Sequence, residues 1–131
     1  MKKLIAFLLF LLFIGNGVYA QQIQLHKPDS ILFDKTVYDY GTMVQGSKGD
    51  CVFIFTNQGK KPLLLRNVRA SCGCTVAEWT KKPVEPGKTG LIKIKYNTAI
   101  VGSFNKSITV YSNAANSAVI LKIKGNVVAE K

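Results

Sequence analysis

The chain has 131 residues, 18 Lys and Arg against 7 Asp and Glu, one His, three Cys and a formal net charge of +11. That length holds one modest domain and excludes two once an amino-terminal leader is set aside. The positive charge raises an anionic partner, but Lys60-Lys61 and Lys81-Lys82 sit in predicted turns, while Lys93, Lys95, Lys122 and Lys124 alternate with apolar residues. With no run of about five or six basic residues and no basic helix, the charge reads as a solvated face and no nucleic-acid partner is expected.

The first element is a leader. Lys2 and Lys3 precede the unbroken apolar run Leu4 to Ile14, Gly15, Asn16 and Gly17 end it, and Val18-Tyr19-Ala20 supplies small residues for a signal peptidase. This is the three-part layout of a secretory signal over residues 1–20. The apolar run is shorter than the roughly 20 residues a bilayer-spanning helix needs. No cysteine follows to carry a lipid. The expectation is an exported protein of the periplasm or cell surface, starting near Gln21, with no transmembrane segment after cleavage. Its net charge falls to +9 when Lys2 and Lys3 leave. Residues 21–30, QQIQLHKPDS, read as a polar leader or a loosely attached edge.

Over residues 31–128 the apolar period is two. ILFDKTVYDY forms one extended run. In DCVFIFTN, Cys51, Phe53 and Phe55 share one face and Val52 and Ile54 the other. Asn57-Gln58-Gly59-Lys60 then turns the chain into Leu63-Leu64-Leu65, and KKPVEPGKTG makes a second reversal with positive φ at Gly87. GLIKIKYN sets Ile92, Ile94 and Tyr96 against Lys93 and Lys95. FNKSITVYS follows after Gly102, and after the break at Asn113, AVILKIKGNVV turns Val119, Leu121 and Ile123 inward. Alternation of this kind marks strands with one buried face. About seven short strands at this spacing predict an all-β, immunoglobulin-like two-sheet sandwich, with a small barrel as the competing architecture. Trp79 lies beyond all three cysteines, so the tryptophan-between-cysteines hallmark of antibody domains is missing. It reads as a packing residue at the sandwich edge whose indole N–H needs a partner.

The stretches DYGTMVQG, FIFTNQGKKPLLL, SCGCTVAEW, PVEPGKTGLIKIKYNT and GSFNKSITVYSN resemble a bacterial exported family called domain of unknown function 1573. That family is similar to Hydin-like and major-sperm-protein-like immunoglobulin modules. The resemblance runs from about residue 33 to 127, and its most specific parts are Ser71-Cys72-Gly73-Cys74-Thr75 and Pro86-Gly87. It implies an immunoglobulin-like sandwich and export, and it brings no established activity. Cys51 is an addition to the family pattern.

The Cys-x-Cys motif at Cys72 and Cys74 is the candidate site for redox or soft-metal chemistry. Residues two apart on a strand point to one side, and closing one sulfur onto the other requires a bend, which Gly73 makes least costly. Four readings stand open: a structural pair in a bend, a cycling thiol pair, a Cu(I) site of two thiolates, and a bridge from Cys51 to one of the two. Zinc has too few ligands, since His26 is the single histidine and lies in the leader. No hydrolase elbow, phosphate loop or His-Glu-x-x-His pair occurs, so no enzyme activity, catalytic residue or cofactor is assigned. The sequence therefore reads as an exported envelope module that binds an unknown protein or glycan or serves a structural role. The alternative is a small periplasmic thiol redox or copper-handling protein using Cys72 and Cys74.

Overall fold

Alternating burial shapes the long strands of the computed structural model, which describes Gly17 and residues 29–131. The expected signal, Gly17 apart, and the polar leader before Asp29 lie outside the described residues. Eight strands follow: β1 (Ile31–Phe33), β2 (Val37–Val44), β3 (Asp50–Asn57), β4 (Leu65–Ala70), β5 (Thr75–Trp79), β6 (Thr89–Tyr96), β7 (Gly102–Ser112) and β8 (Ala118–Val128). They build two four-stranded sheets, β1-β3-β6-β5 and β2-β8-β7-β4. The first sheet facing β8-β7-β4 is the strand arrangement of an immunoglobulin constant-type sandwich. β2 extends the second sheet by pairing parallel to β8. Among the described residues no helix is long and apolar enough to cross a membrane.

The count exceeds the expected seven because ILFDKTVYDY is two strands in two different sheets. Asp34 causes the break. Its backbone N–H donates to the Ile54 carbonyl at 3.0 Å, and its carboxylate accepts from the N–H groups of Lys35 at 2.8 Å and Ile54 at 3.3 Å. The chain leaves β1 there, and Lys122 N–H donates to the Thr36 carbonyl at 2.8 Å to open the β2–β8 pairing. The leader is also less loose at its end than expected. Asp29 accepts from the N–H groups of Lys60 and Ala115, both at 2.7 Å, and Ser30 from that of Gln58 at 3.0 Å.

The inward faces are those the alternation indicates. Phe53 and Phe55 on β3, Ile92 and Ile94 on β6, Ile108 and Val110 on β7, and Leu121 and Ile123 on β8 are buried between the sheets. Each contributes about 1.5–3 kcal/mol by leaving water. Cross-strand register holds Phe53 opposite Ile92 and Val52 opposite Lys93. Tyr96 stacks on Phe104 with centroids 3.8 Å apart, joining the sheets at one end. Gly90 is set by packing: a Cβ there would overlap the Phe55 ring, with two ring carbons at 2.9 Å.

Of the four buried polar residues among the described ones, Asn57, Thr75, Thr98 and Ser112, the most enclosed is Asn57. Asn57 is 2% exposed; its Nδ2 donates to the carbonyls of Lys61 at 2.7 Å and Val84 at 2.8 Å, and its Oδ1 accepts from Gly59 N–H at 2.8 Å. Its own N–H donates to the Lys88 carbonyl and its carbonyl accepts from Gly87 N–H. The turn after β3 and the Pro86-Gly87 reversal before β6 are thus fastened to a single residue. Gly87 takes φ 77°, the left-handed conformation expected of it.

Two substitution tests follow from this packing. Ile94→Asp, placing an unpaired charge where exposure is 1%, should cost at least about 3 kcal/mol in denaturant unfolding, and Lys93→Asp should stay within about ±0.5. Equal losses would place the β6 register one residue out. Asn57→Ala removes three hydrogen bonds, one buried and two part-buried, and should cost about 3 kcal/mol at roughly 1 per bond, well beyond the loss from Asn113→Ala, whose bonds to Leu64 and Pro62 are exposed.

Candidate functional site

The Cys-x-Cys motif sits where the chain passes between sheets. β4 is an edge of one sheet and β5 an edge of the other, so Ser71–Cys74 bridge the sandwich along one side. Both ends of the crossing are anchored. Ser71 N–H donates to the Ser107 carbonyl at 2.9 Å, and Ser107 N–H donates back to Ser71 Oγ at 3.1 Å. On the β5 side, Asn97 N–H donates to the Cys74 carbonyl at 2.9 Å.

Between these anchors Cys72 and Cys74 are disulfide-bonded, with Cα atoms 5.4 Å apart. This lies inside the roughly 4.4–6.8 Å range that a disulfide accommodates. Both residues are half-buried; Cys74 packs against the core, and its Sγ lies 3.9 Å from Thr75 Oγ1. Gly73 is exposed, and a Cβ built on it meets nothing within 4 Å. The bend runs through Gly73 without a positive φ there. Bends and turns spread over Ser71–Cys74 reverse the chain together, so no single residue has to enter the left-handed region.

Cys51 stands apart from the pair. It is a free thiol, 5% exposed, on the inward face of β3 with Phe53 and Phe55, and it bridges to neither Cys72 nor Cys74. Burial raises its pKa, so it is held as an inert thiol. Burial, and then its contact with Cys51, likewise raises the pKa of the Tyr40 hydroxyl, which donates to the Gly49 carbonyl at 2.7 Å.

Trp79 ends β5, partly buried against the core as expected for a packing residue at the edge. Its indole N–H is buried without the expected hydrogen-bond partner among the described residues. The ring is engaged through its face instead, with Lys81 Nζ 3.0 Å from its centroid, a cation–π contact.

A second feature escaped the sequence reading. The outer face of β1-β3-β6-β5 carries Leu32, Val52, Ile54, Val76 and Leu91, between 38% and 60% exposed. Ile54 lies directly across from Leu91, and Val52 is two residues away on the same face. Beside them a shallow concavity of about 460 Å³ is lined by Val52 and Val76 together with Asp50, Glu78, Lys93 and Lys95. The signal for this face was present in DCVFIFTN, which is apolar on both sides as a doubly covered strand would be. Among the described residues no group of three or more His, Cys, Asp or Glu is placed to hold a metal ion. Soft-metal capture by Cys72 and Cys74 would require their bond to be reduced first.

The chain-entropy relation gives about 1.6 kcal/mol for a disulfide closing three residues, against about 3 for fifteen. The double substitution Cys72→Ser with Cys74→Ser should therefore leave a cooperative fold weakened by about 1–2 kcal/mol. Gly73→Ala, meeting open space at ordinary φ, should stay within about ±0.5. Unfolding of the double-serine protein, measured by denaturant titration, would make the bond a structural staple.

With this geometry in place, the chain can be set beside known proteins. Residues 31–127 match a family described as protein of unknown function (DUF1573). No curated protein matches the chain. Among solved structures it is similar to a protein of unknown function from Porphyromonas gingivalis W83, at TM-score 0.68 and 18% identity, over 82% of this chain and 51% of that one. The chain thus spans about half the length of that protein. It is also similar to the ASH/PapD-like domain 7 of human CEP192, at TM-score 0.61 and 10% identity, covering 79% and 89% of the two chains. A third likeness is to WR4, a major-sperm-protein family member of C. elegans, at TM-score 0.50 and 12% identity, covering 76% and 99%. At these identities the likenesses show the fold alone, an immunoglobulin-like sandwich of the PapD and major-sperm-protein kind. The family match spans most of the chain, which belongs to DUF1573.

Proposed function

We propose that the protein is an exported binding module of the cell envelope that holds a protein partner on the outer face of the β1-β3-β6-β5 sheet. The observation that carries this reading is the group of half-exposed aliphatic side chains there, Leu32, Val52, Ile54 and Leu91. An antiparallel sheet with one wet face ordinarily turns polar residues outward, and apolar side chains gathered on a surface mark an interaction site. The chemistry favours a protein over a glycan, because these side chains are aliphatic and offer no aromatic ring for a sugar to stack on. Asp50, Glu78, Lys93 and Lys95 beside them supply charges of both signs for a polar rim. The leader over residues 1–20 supports export, and the sequence carries no hydrolase elbow, phosphate loop or His-Glu-x-x-His pair.

The test uses the full chain expressed in its host cell. A photo-crosslinking residue at position 54 should capture a discrete envelope protein, while the same residue at position 122, on the opposite sheet, should not. Ile54→Asp, at an exposed site, should abolish capture from a crosslinker at position 91 with a stability change within about ±0.5 kcal/mol. The processed chain should begin near Gln21 outside the cytoplasm. Capture of the same proteins from both faces, or an intact Met1 in the cytoplasm, would overturn the proposal.

A further inference from the structure

The structure holds one covalent bond that its fold barely needs. Opening the Cys72–Cys74 disulfide disconnects no strand, because the crossing is fixed by the Ser71–Ser107 pair on one side and the Asn97–Cys74 hydrogen bond on the other. The same anchors keep the sulfurs close after opening, so the bond can re-form without refolding. A thermodynamic cycle sharpens the point: a bond that stabilises a fold is itself stabilised by that fold to the same degree. The bond closes only three residues, contributes little to folding, and is therefore weakly protected from reduction. Structural disulfides resist reduction, whereas exposed or weakly supported ones are the exchangeable class.

Packing distinguishes the two sulfurs. Both residues are half-buried, but Cys74 packs against the core, whereas Cys72 is not among the residues packed there. The Thr75 hydroxyl, 3.9 Å from Cys74 Sγ, can donate to a thiolate that forms on Cys74. A hydrogen bond to the charged form favours it, and the better leaving thiolate leaves faster. Cys72 is thus the sulfur to be attacked and Cys74 the one to leave.

We propose that Cys72–Cys74 is a thiol–disulfide exchange site that oxidises a dithiol on a partner protein, with Cys72 Sγ as the attacked atom. A partner thiolate forms a bond to Cys72 Sγ as the Cys72–Cys74 bond breaks. The electron pair goes to Cys74 Sγ, which takes a proton from water. The partner's second thiolate then attacks its own sulfur in the mixed disulfide, and Cys72 leaves as a thiolate that is protonated in turn. The partner finishes with a disulfide and this chain with two thiols, so two electrons pass from partner to module and the partner dithiol is the reductant.

The experiment uses purified protein in buffers of reduced and oxidised glutathione, with alkylation and mass spectrometry reporting each cysteine. Cys72 and Cys74 should become alkylatable together in a folded protein, while Cys51 stays unlabelled. The Cys74→Ser variant, with Cys72 free, should form a mixed disulfide with oxidised glutathione about tenfold faster than Cys72→Ser does, following the difference in packing. A reduced dithiol peptide should be oxidised in a one-to-one ratio with loss of the Cys72–Cys74 bond. A bond that stays closed until the fold melts, or labelling of Cys51 in step with the pair, would overturn the exchange site. Equal rates for the two single variants would overturn the choice of Cys72.

Discussion

The pairing of β3 with β6 is the constraint to which the rest of the sandwich is referred. These neighbours place Cys51, Phe53 and Phe55 beside Ile94, Ile92 and Gly90, the inner surface onto which β7 and β8 pack. Close-packed interiors tolerate small volume changes poorly, and this one is tight enough that Gly90 makes room for the Phe55 ring. The same pairing turns Val52, Ile54 and Leu91 outward. The core and the proposed binding face are consequently two sides of one register. A slip of one residue would exchange them.

Alternation is a local property, and what it reports is local. It made strands of DCVFIFTN, GLIKIKYN and AVILKIKGNVV legible, with the inward residues now seen in the core. It could not report that ILFDKTVYDY divides, because the division depends on Ile54, twenty positions away from Asp34. The parallel pairing of β2 with β8 and the hub at Asn57 were hidden for the same reason. Asn57 was visible as a turn residue, but its bonds to Val84, Gly87 and Lys88 join segments about thirty residues apart. The resemblance to a known family carried the sandwich further than periodicity did, since periodicity alone left a barrel in play.

The candidate site was legible in composition and not in geometry. Two cysteines one residue apart announce themselves, and the structure joins them. The glycine between them reads as the residue that makes their closure least costly, yet its φ is not positive. A turn can distribute its curvature, and Ser71–Cys74 do so. Buried indoles usually hydrogen-bond; at Trp79 Lys81 meets the ring face, and the N–H has no partner among the described residues. Such outcomes turn on side-chain positions that no spacing rule encodes.

Edges decide which surfaces remain for function. An unpaired edge strand is a template for association, and proteins blunt it with short strands or bulges. β1 has three residues. β2 is interrupted between Asp39 and Thr42, where Gly41 takes φ 68°, and β4 is interrupted between Leu65 and Asn67. β5 pairs without a register shift and is five residues long. Self-association through sheet edges is therefore discouraged on three sides, which leaves the apolar outer face and the disulfide crossing at the head of β5. The two features lie on or beside the same sheet, one on its face and the other at the start of its last strand. The Cys74 carbonyl accepts from Asn97 just past the end of β6, whereas Ile54 and Leu91 pair near that strand's start, so the disulfide and this aliphatic pair sit toward opposite ends of one sheet, and neither draws on the buried interactions that hold the sandwich together.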